Sequence, residues 1–126
     1  MRRLVLVLTV TFILAGCAAT PAEPSPSVVP TSPAADEIAS TEDGIEWARN
    51  LDSSATSMEL STGIGAISDL VPTEKIWFQT NNELGHSLIR LNAEVLEDPE
   101  NAGTKVDDLQ SVIDDLEEAI AHGNKP

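Results

Sequence analysis

Apolar residues recur at intervals of three and four positions from about Asp36 to Gly123, which is the spacing of one face of an α-helix. No segment in this range alternates apolar and polar residues with the two-residue period of a strand. Three such stripes are separated by short polar or proline-containing joints. The pattern predicts an all-α fold, a small antiparallel three-helix bundle over residues 36–126.

The first stripe predicts a helix that begins after Ser40, with Glu42 and Asp43 in its first turn. Serine and threonine at 53–57 are poor helix formers and weaken its second half. Residues 63–71 are predicted as a short helical turn or a packed loop. The apolar positions of the first helix are Ile45, Ala48, Leu51, Ala55 and Met58.

The second stripe predicts a helix that starts at Pro72 and Thr73 and stops before Pro99. Gly85 lies inside it and costs about 1 kcal/mol relative to alanine, which marks either a kink or a close helix contact. Its apolar positions are Leu84, Leu88, Leu91 and Val95.

The third stripe predicts a helix capped by Thr104 at its start and by Gly123 at its end. Acidic residues flank the stripe, and Asp107, Asp114 and Glu118 lie along one side. A solvated face explains them most simply, while a basic partner or loosely held Ca²⁺ is the functional alternative. The apolar positions are Val106, Leu109, Ile113, Leu116 and Ile120.

A different pattern precedes the helices. Arg2 and Arg3 are followed by an apolar run over 4–14 and then by a cysteine, Cys17, after small residues. The run is too short to cross a bilayer, which takes about 20 apolar residues. The tetrapeptide Leu-Ala-Gly-Cys at 14–17 resembles the lipobox of bacterial lipoproteins.

That resemblance implies a signal peptide at 1–16 and a mature chain that starts at Cys17. It also implies a diacylglycerol on the Cys17 sulfur, often with acylation of the freed amine, because two or more acyl chains anchor a protein stably. The protein is then expected at the cell envelope, lipid-anchored and extracytoplasmic. It would occupy the outer face of a single membrane or, because Ala18 follows the cysteine, the outer membrane of a two-membrane host.

Residues 17–35 are rich in proline, serine, threonine and alanine, and we predict a disordered linker there. Cys17 is the only cysteine, so no intramolecular disulfide is expected and the helical domain must rest on its apolar core.

The chain is strongly acidic. It has 7 basic and 21 acidic residues, and loss of Arg2 and Arg3 leaves 5 against 21, a net charge of −16. Nucleic acid is therefore excluded as a partner, because phosphates are bound by clustered lysine and arginine. The charge either keeps the protein soluble or attracts a cationic peptide or a basic envelope protein.

Trp47, Trp77 and Phe78 are the aromatic residues that follow the signal. Ile76, Trp77 and Phe78 are consecutive, so their side chains spread over more than one helix face and not all three point inward. In one interpretation, two of these three side chains pack in the core and the third partly covers a neighbouring loop. In the other, Trp77 and Phe78 form an interface with a partner.

Neither His86 nor His122 lies in a zinc-ligand spacing, and no EF-hand loop, nucleophile elbow or phosphate-binding glycine loop is present in the sequence. We therefore expect no catalytic residue, cofactor or dedicated metal site. The leading hypothesis is a non-enzymatic module that binds a protein or peptide at the envelope. The alternative is a surface lipoprotein that binds solutes or cations. In anchor, linker and size the chain also resembles small lipoproteins that protect cells from bacteriocins or phage superinfection.

Overall fold

The computed structural model describes residues 32–126, which form one compact helical unit without a strand in this range. The predicted signal peptide at 1–16, Cys17 and residues 17–31 of the predicted linker lie outside the described residues. The prediction of an all-α fold is confirmed, but the predicted count of three helices is wrong. The four α-helices are α1 (Thr41–Arg49), α2 (Ser57–Leu70), α3 (Phe78–Glu97) and α4 (Val106–His122).

The first predicted helix is divided into two helices by local side-chain hydrogen bonds. Helix α1 starts where the Ser40 hydroxyl accepts from a backbone N–H, and it ends at Arg49. In the loop that follows, the Asp52 carboxylate accepts from the backbone N–H of Ser54 at 2.8 Å. Thr56 then caps α2, accepting from the N–H of Glu59 at 3.2 Å.

Because α2 is a separate helix, two segments differ from their predicted structure. Met58, predicted on the buried stripe, is 78% exposed because it belongs to α2 and not to an extension of α1. Residues 63–71, left open between a short helical turn and a packed loop, are helical through Leu70 and continue into a 3₁₀ turn, Val71–Thr73.

Glycines bring α1 and α2 close together. The indole of Trp47 packs on Gly63, and a Cβ added at Gly63 would collide with the ring. A Cβ at Gly44 would lie 2.6 Å from Cγ1 of Ile67. Trp47 is consequently buried, at 2% exposure. Both glycines therefore serve packing between the helices, which outweighs their low helix propensity.

Helix α3 starts later than its sequence predicts. Pro72 and Thr73 lie in the 3₁₀ turn, and α3 begins at Phe78 with no side-chain cap at Trp77. The predicted stop before Pro99 is confirmed, since α3 ends at Glu97.

Helix α4 ends as predicted and begins differently. Gly123 is the C-terminal cap of α4, as predicted, and it has a positive φ of 66°. Thr104 does not cap the start, because its hydroxyl donates to the carbonyl of Asn101 at 2.7 Å. A 3₁₀ segment, Pro99–Lys105, runs directly into α4 instead.

The core is built from all four α-helices, with α2, α3 and α4 supplying most of its large side chains. The 3₁₀ segments each add one buried residue, Ala35, Val71 or Ala102. Ile120, predicted on the buried stripe, is 36% exposed near the end of α4. Within residues 32–126, none of the helices has the length and apolar character needed to cross a bilayer. The largest fully buried side chains are Leu60, Ile64, Ile67, Val71, Leu88, Val95, Leu109, Ile113 and Leu116.

Candidate functional site

A cleft of about 480 Å³ lies between the first half of α3 and the second half of α4. Its floor is apolar, formed by the buried side chains of Ile76, Leu84 and Ala119. Trp77 also lines it and is 40% exposed. A concave apolar surface with a few polar groups at its edge is the usual form of a binding site.

Three carboxylates surround this floor. Glu83 comes from α3, and Asp115 and Glu118 come from α4. Because Asp115, Glu118 and His122 are three and four residues apart, they share one face of α4. Lys125 lines the cleft as well, so the charge of the rim is negative but not uniform. The arrangement fits a ligand that carries a positive group beside an apolar one.

Two hydrogen bonds, one between backbone groups and one from a side chain, fix the chain around Trp77. The N–H of Trp77 donates to the carbonyl of Gly123 at 3.0 Å, which joins the start of α3 to the end of α4. One turn further along, the Asn81 side chain donates to the carbonyl of Val71 at 3.0 Å. Trp77 is thus positioned by the fold and not by a free loop.

The groove between α3 and α4 continues beyond Ser87 and Asp115 into a second cleft of about 310 Å³. There the Lys105 ammonium lies 2.8 Å from the Glu94 carboxylate. The hydrogen bond from Lys105 lowers the pKa of Glu94, and the same bond raises the pKa of Lys105. Glu94 is therefore paired within the fold, whereas Asp115 and Glu118 have no ion-pair partner among residues 32–126.

The structure separates the residues that the sequence grouped as interface candidates. Trp77 and Glu118 meet in the cleft. Phe78 is 76% exposed and does not line it. Asp107 lies at the opposite end of α4 and is exposed. Cys17 lies outside the described residues.

Asp114 belongs to a different contact. Its carboxylate lies 2.8 Å from the Arg49 guanidinium of α1, which also pairs with Glu117. These hydrogen bonds, with that of Glu117 the larger influence, raise the pKa of Arg49. The predicted alignment of Asp107, Asp114 and Glu118 along one side of a helix therefore does not make one site, because α1 and α3 pack on different flanks of α4.

Sequence reasoning missed Glu83 as a member of the site, and it placed Asp115 only within a general acidic face. No local signal identifies either one, because their proximity depends on the pairing of α3 with α4. For Ile76 the sequence shows only that it is one of three consecutive bulky residues. That it is the buried one is seen in the structure alone.

Within residues 32–126, no three histidine, cysteine, aspartate or glutamate side chains gather as metal ligands. His86 is exposed on α3, and His122 lies at the end of α4 where it lines the cleft.

Comparison of the chain with protein-family models, curated proteins and solved structures found no match. The resemblance to bacterial lipoproteins therefore rests on residues 14–17 and their flanks.

Proposed function

We propose that the protein is a lipid-anchored, extracytoplasmic and non-enzymatic module that binds a basic peptide segment of an envelope protein. The cleft between α3 and α4 is its binding site. The observation that carries this proposal is the half-exposed indole of Trp77 beside Glu83, Asp115 and Glu118 over an apolar floor.

Each part of the cleft matches one part of such a peptide. A lysine or arginine placed over an indole face gains about 0.5–2 kcal/mol from the cation–π interaction. Carboxylates at the rim form charge-assisted hydrogen bonds with the same cationic groups. An apolar neighbour in the peptide is then buried against Leu84 and Ala119. The net charge of −16 expected after processing raises the encounter rate with a basic partner.

The first part of the sequence supports an anchored location. The lipobox at 14–17 supports lipid on Cys17, and the proline-rich stretch after it supports a tether. About 20 residues at ~3.1 Å each give such a tether a reach of up to ~60 Å. This reach would let the helical domain meet partners that stand away from the membrane.

Calorimetric titration of the detergent-solubilised chain tests the cleft. The probe is a short peptide of alternating lysine and leucine, and its control alternates glutamate and leucine. We expect binding of the lysine peptide alone. Trp77→Ala weakens it about tenfold, since the loss of about 1.4 kcal/mol of cation–π and apolar contact corresponds to that factor.

Phe78→Ala is the matched control, because it removes a neighbouring exposed aromatic that does not line the cleft. Equal weakening by Phe78→Ala and Trp77→Ala would contradict the assignment of the cleft. Glu118→Gln should weaken binding at low salt and much less at high salt, because screening suppresses the contribution of an exposed charge.

Calorimetric titration also separates this proposal from the alternative of a cation-binding lipoprotein. Heat on titration of Ca²⁺ without heat on titration of the lysine peptide would overturn the peptide-binding function in favour of that alternative.

A further inference from the structure

Helix α3 carries a second apolar stripe that the fold leaves uncovered. Phe78, Ile89 and Leu96 are 76%, 62% and 58% exposed. At 3.6 residues per turn they fall within about 20° of one another around the helix axis, and about 110° from the buried stripe. They do not line the cleft proposed for peptide binding. The buried stripe of α3 is Leu84, Leu88, Leu91 and Val95.

Asn82, Gly85 and Asn92 lie on the same face of α3, between the three exposed apolar residues. The six residues are four, three, four, three and four positions apart, which is the spacing of alternating a and d positions in a coiled-coil heptad. At 1.5 Å per residue the stripe is about 27 Å long. We name it the outer seam; its residues are Phe78, Asn82, Gly85, Ile89, Asn92 and Leu96.

We propose that the outer seam binds the outer seam of a second copy of this chain, antiparallel, with a two-fold axis between Gly85 and Ile89. This register sets Phe78 against Leu96 and Asn82 against Asn92 of the other copy. It also sets Gly85 against Ile89. Apolar groups thus meet apolar groups, amides meet amides, and the branched side chain of Ile89 meets Gly85, which has no side chain.

Gly85 supports this pairing because it lies on the outer seam and no contact within residues 32–126 requires a glycine there. Glycine inside a helix costs about 1 kcal/mol relative to alanine. A Cβ added at Gly85 would meet no atom within 4 Å, whereas a Cβ at Gly63 would strike Trp47. In the antiparallel pair, the space beside Gly85 receives Ile89 of the second copy. A parallel pair would instead place glycine against glycine and leave a gap.

The charge distribution favours a second copy over a partner of opposite charge. The outer seam holds no carboxylate, and the e and g heptad positions that flank it hold none either. Glu83 and Glu97 follow seam residues directly in sequence, but in this register they lie level with Leu91 and Trp77 of the second copy. Two acidic chains therefore meet here without bringing carboxylates together, and such a self-complementary surface is what a two-fold dimer requires. The flanking residues are Gln79, Asn81, His86, Leu88, Ala93 and Val95.

Sedimentation of the detergent-solubilised full chain over a concentration series tests the association. We expect a dimer whose dissociation constant rises tenfold or more with Gly85→Gln, because the new side chain fills the space for Ile89. Glutamine is a better helix former than glycine, so the unfolding temperature does not fall when it is measured at concentrations where both chains are monomeric. This combination separates loss of the interface from loss of the fold.

Met58→Gln is the matched control, because Met58 is an exposed apolar residue of α2 outside the seam, and the dimer should persist. A monomer at all concentrations, or a dimer unaffected by Gly85→Gln, would overturn the proposal.

Thiol crosslinking in a Cys17→Ala background tests the register. A mixture of chains carrying Asn82→Cys and chains carrying Asn92→Cys should form a disulfide, while neither variant crosslinks with itself. Like positions in the antiparallel pair are ten residues apart along the axis, about 15 Å, which exceeds the reach of a disulfide. Crosslinking of each variant with itself but not in the mixture would show a parallel pair and contradict the register.

Discussion

The backbone N–H of Trp77 donates a hydrogen bond to the carbonyl oxygen of Gly123, 3.0 Å away. The bond connects the residue before α3 with the residue after α4, and both residues line the cleft. The backbone of Gly123 has a φ of 66°, a conformation that residues with a side chain rarely adopt. The position of Trp77 in the cleft therefore depends on a glycine more than forty residues away in sequence.

Gly123→Val tests this dependence. The β-branched residue strains the backbone by about 1–3 kcal/mol, so the free energy of unfolding should fall by a similar amount. Binding of the lysine–leucine peptide should weaken too, since Trp77 loses its fixed position. Thermal unfolding and calorimetry measure the two effects. An unchanged unfolding temperature would contradict the role given to Gly123.

Two glycines of α2 should respond to alanine in opposite directions. Gly63→Ala should lower the free energy of unfolding by about 1–3 kcal/mol, because the methyl group collides with the buried indole of Trp47. Gly65→Ala should raise it by about 0.5–1 kcal/mol, since no atom lies within 4 Å of the new Cβ and alanine favours the helix. Urea unfolding checks both. A shift of the same sign in the two variants would contradict the packing described here.

Part of the fold could be predicted from the sequence and part could not. The stripes of α3 and α4 were predictable because each is a long run with one periodicity, and Gly123 follows the last stripe directly. The break between α1 and α2 was not predictable from periodicity. It depends on short-range hydrogen bonds at Asp52 and Thr56, and on Gly63 serving as a packing surface once Trp47 is in place.

The residues of the candidate site could likewise be predicted only in part from the sequence. Trp77 was identifiable because three consecutive bulky residues cannot share one face of a helix. Glu83 could not be identified from the sequence, because it lies near Asp115 and Glu118 only when α3 packs on α4.

Acid should weaken the contribution of the ion pair between Glu94 and Lys105. The pair lowers the pKa of Glu94 in the folded protein below its ordinary value of 4.5. The stabilisation is therefore fully present above the ordinary value and is lost as the pH falls through the lowered one. Glu94→Gln should reduce the unfolding temperature near neutral pH, and its difference from the unaltered protein should shrink below about pH 4.5.

Glu97→Gln on the same helix is the control, because Glu97 has no ion pair within residues 32–126. A difference between Glu94→Gln and the unaltered protein that grows toward acid pH would contradict the assignment.

Cys17→Ala tests the anchor separately from the cleft. Without the thiol no diacylglycerol can be attached, so the protein should accumulate unprocessed or leave the membrane fraction. Membrane fractionation and mass measurement of the chain check the outcome. A Cys17→Ala variant that remains membrane-bound at mature size would rule out lipid anchoring at this residue.

Amide chemical shifts recorded during titration of the chain with the lysine–leucine peptide test the central claim most directly. We predict that the largest changes fall on Trp77, Leu84, Ala119 and His122, which line the cleft. Changes spread evenly over the acidic surface, with Asp107 responding as strongly as Trp77, would show general charge attraction and contradict a binding site between α3 and α4.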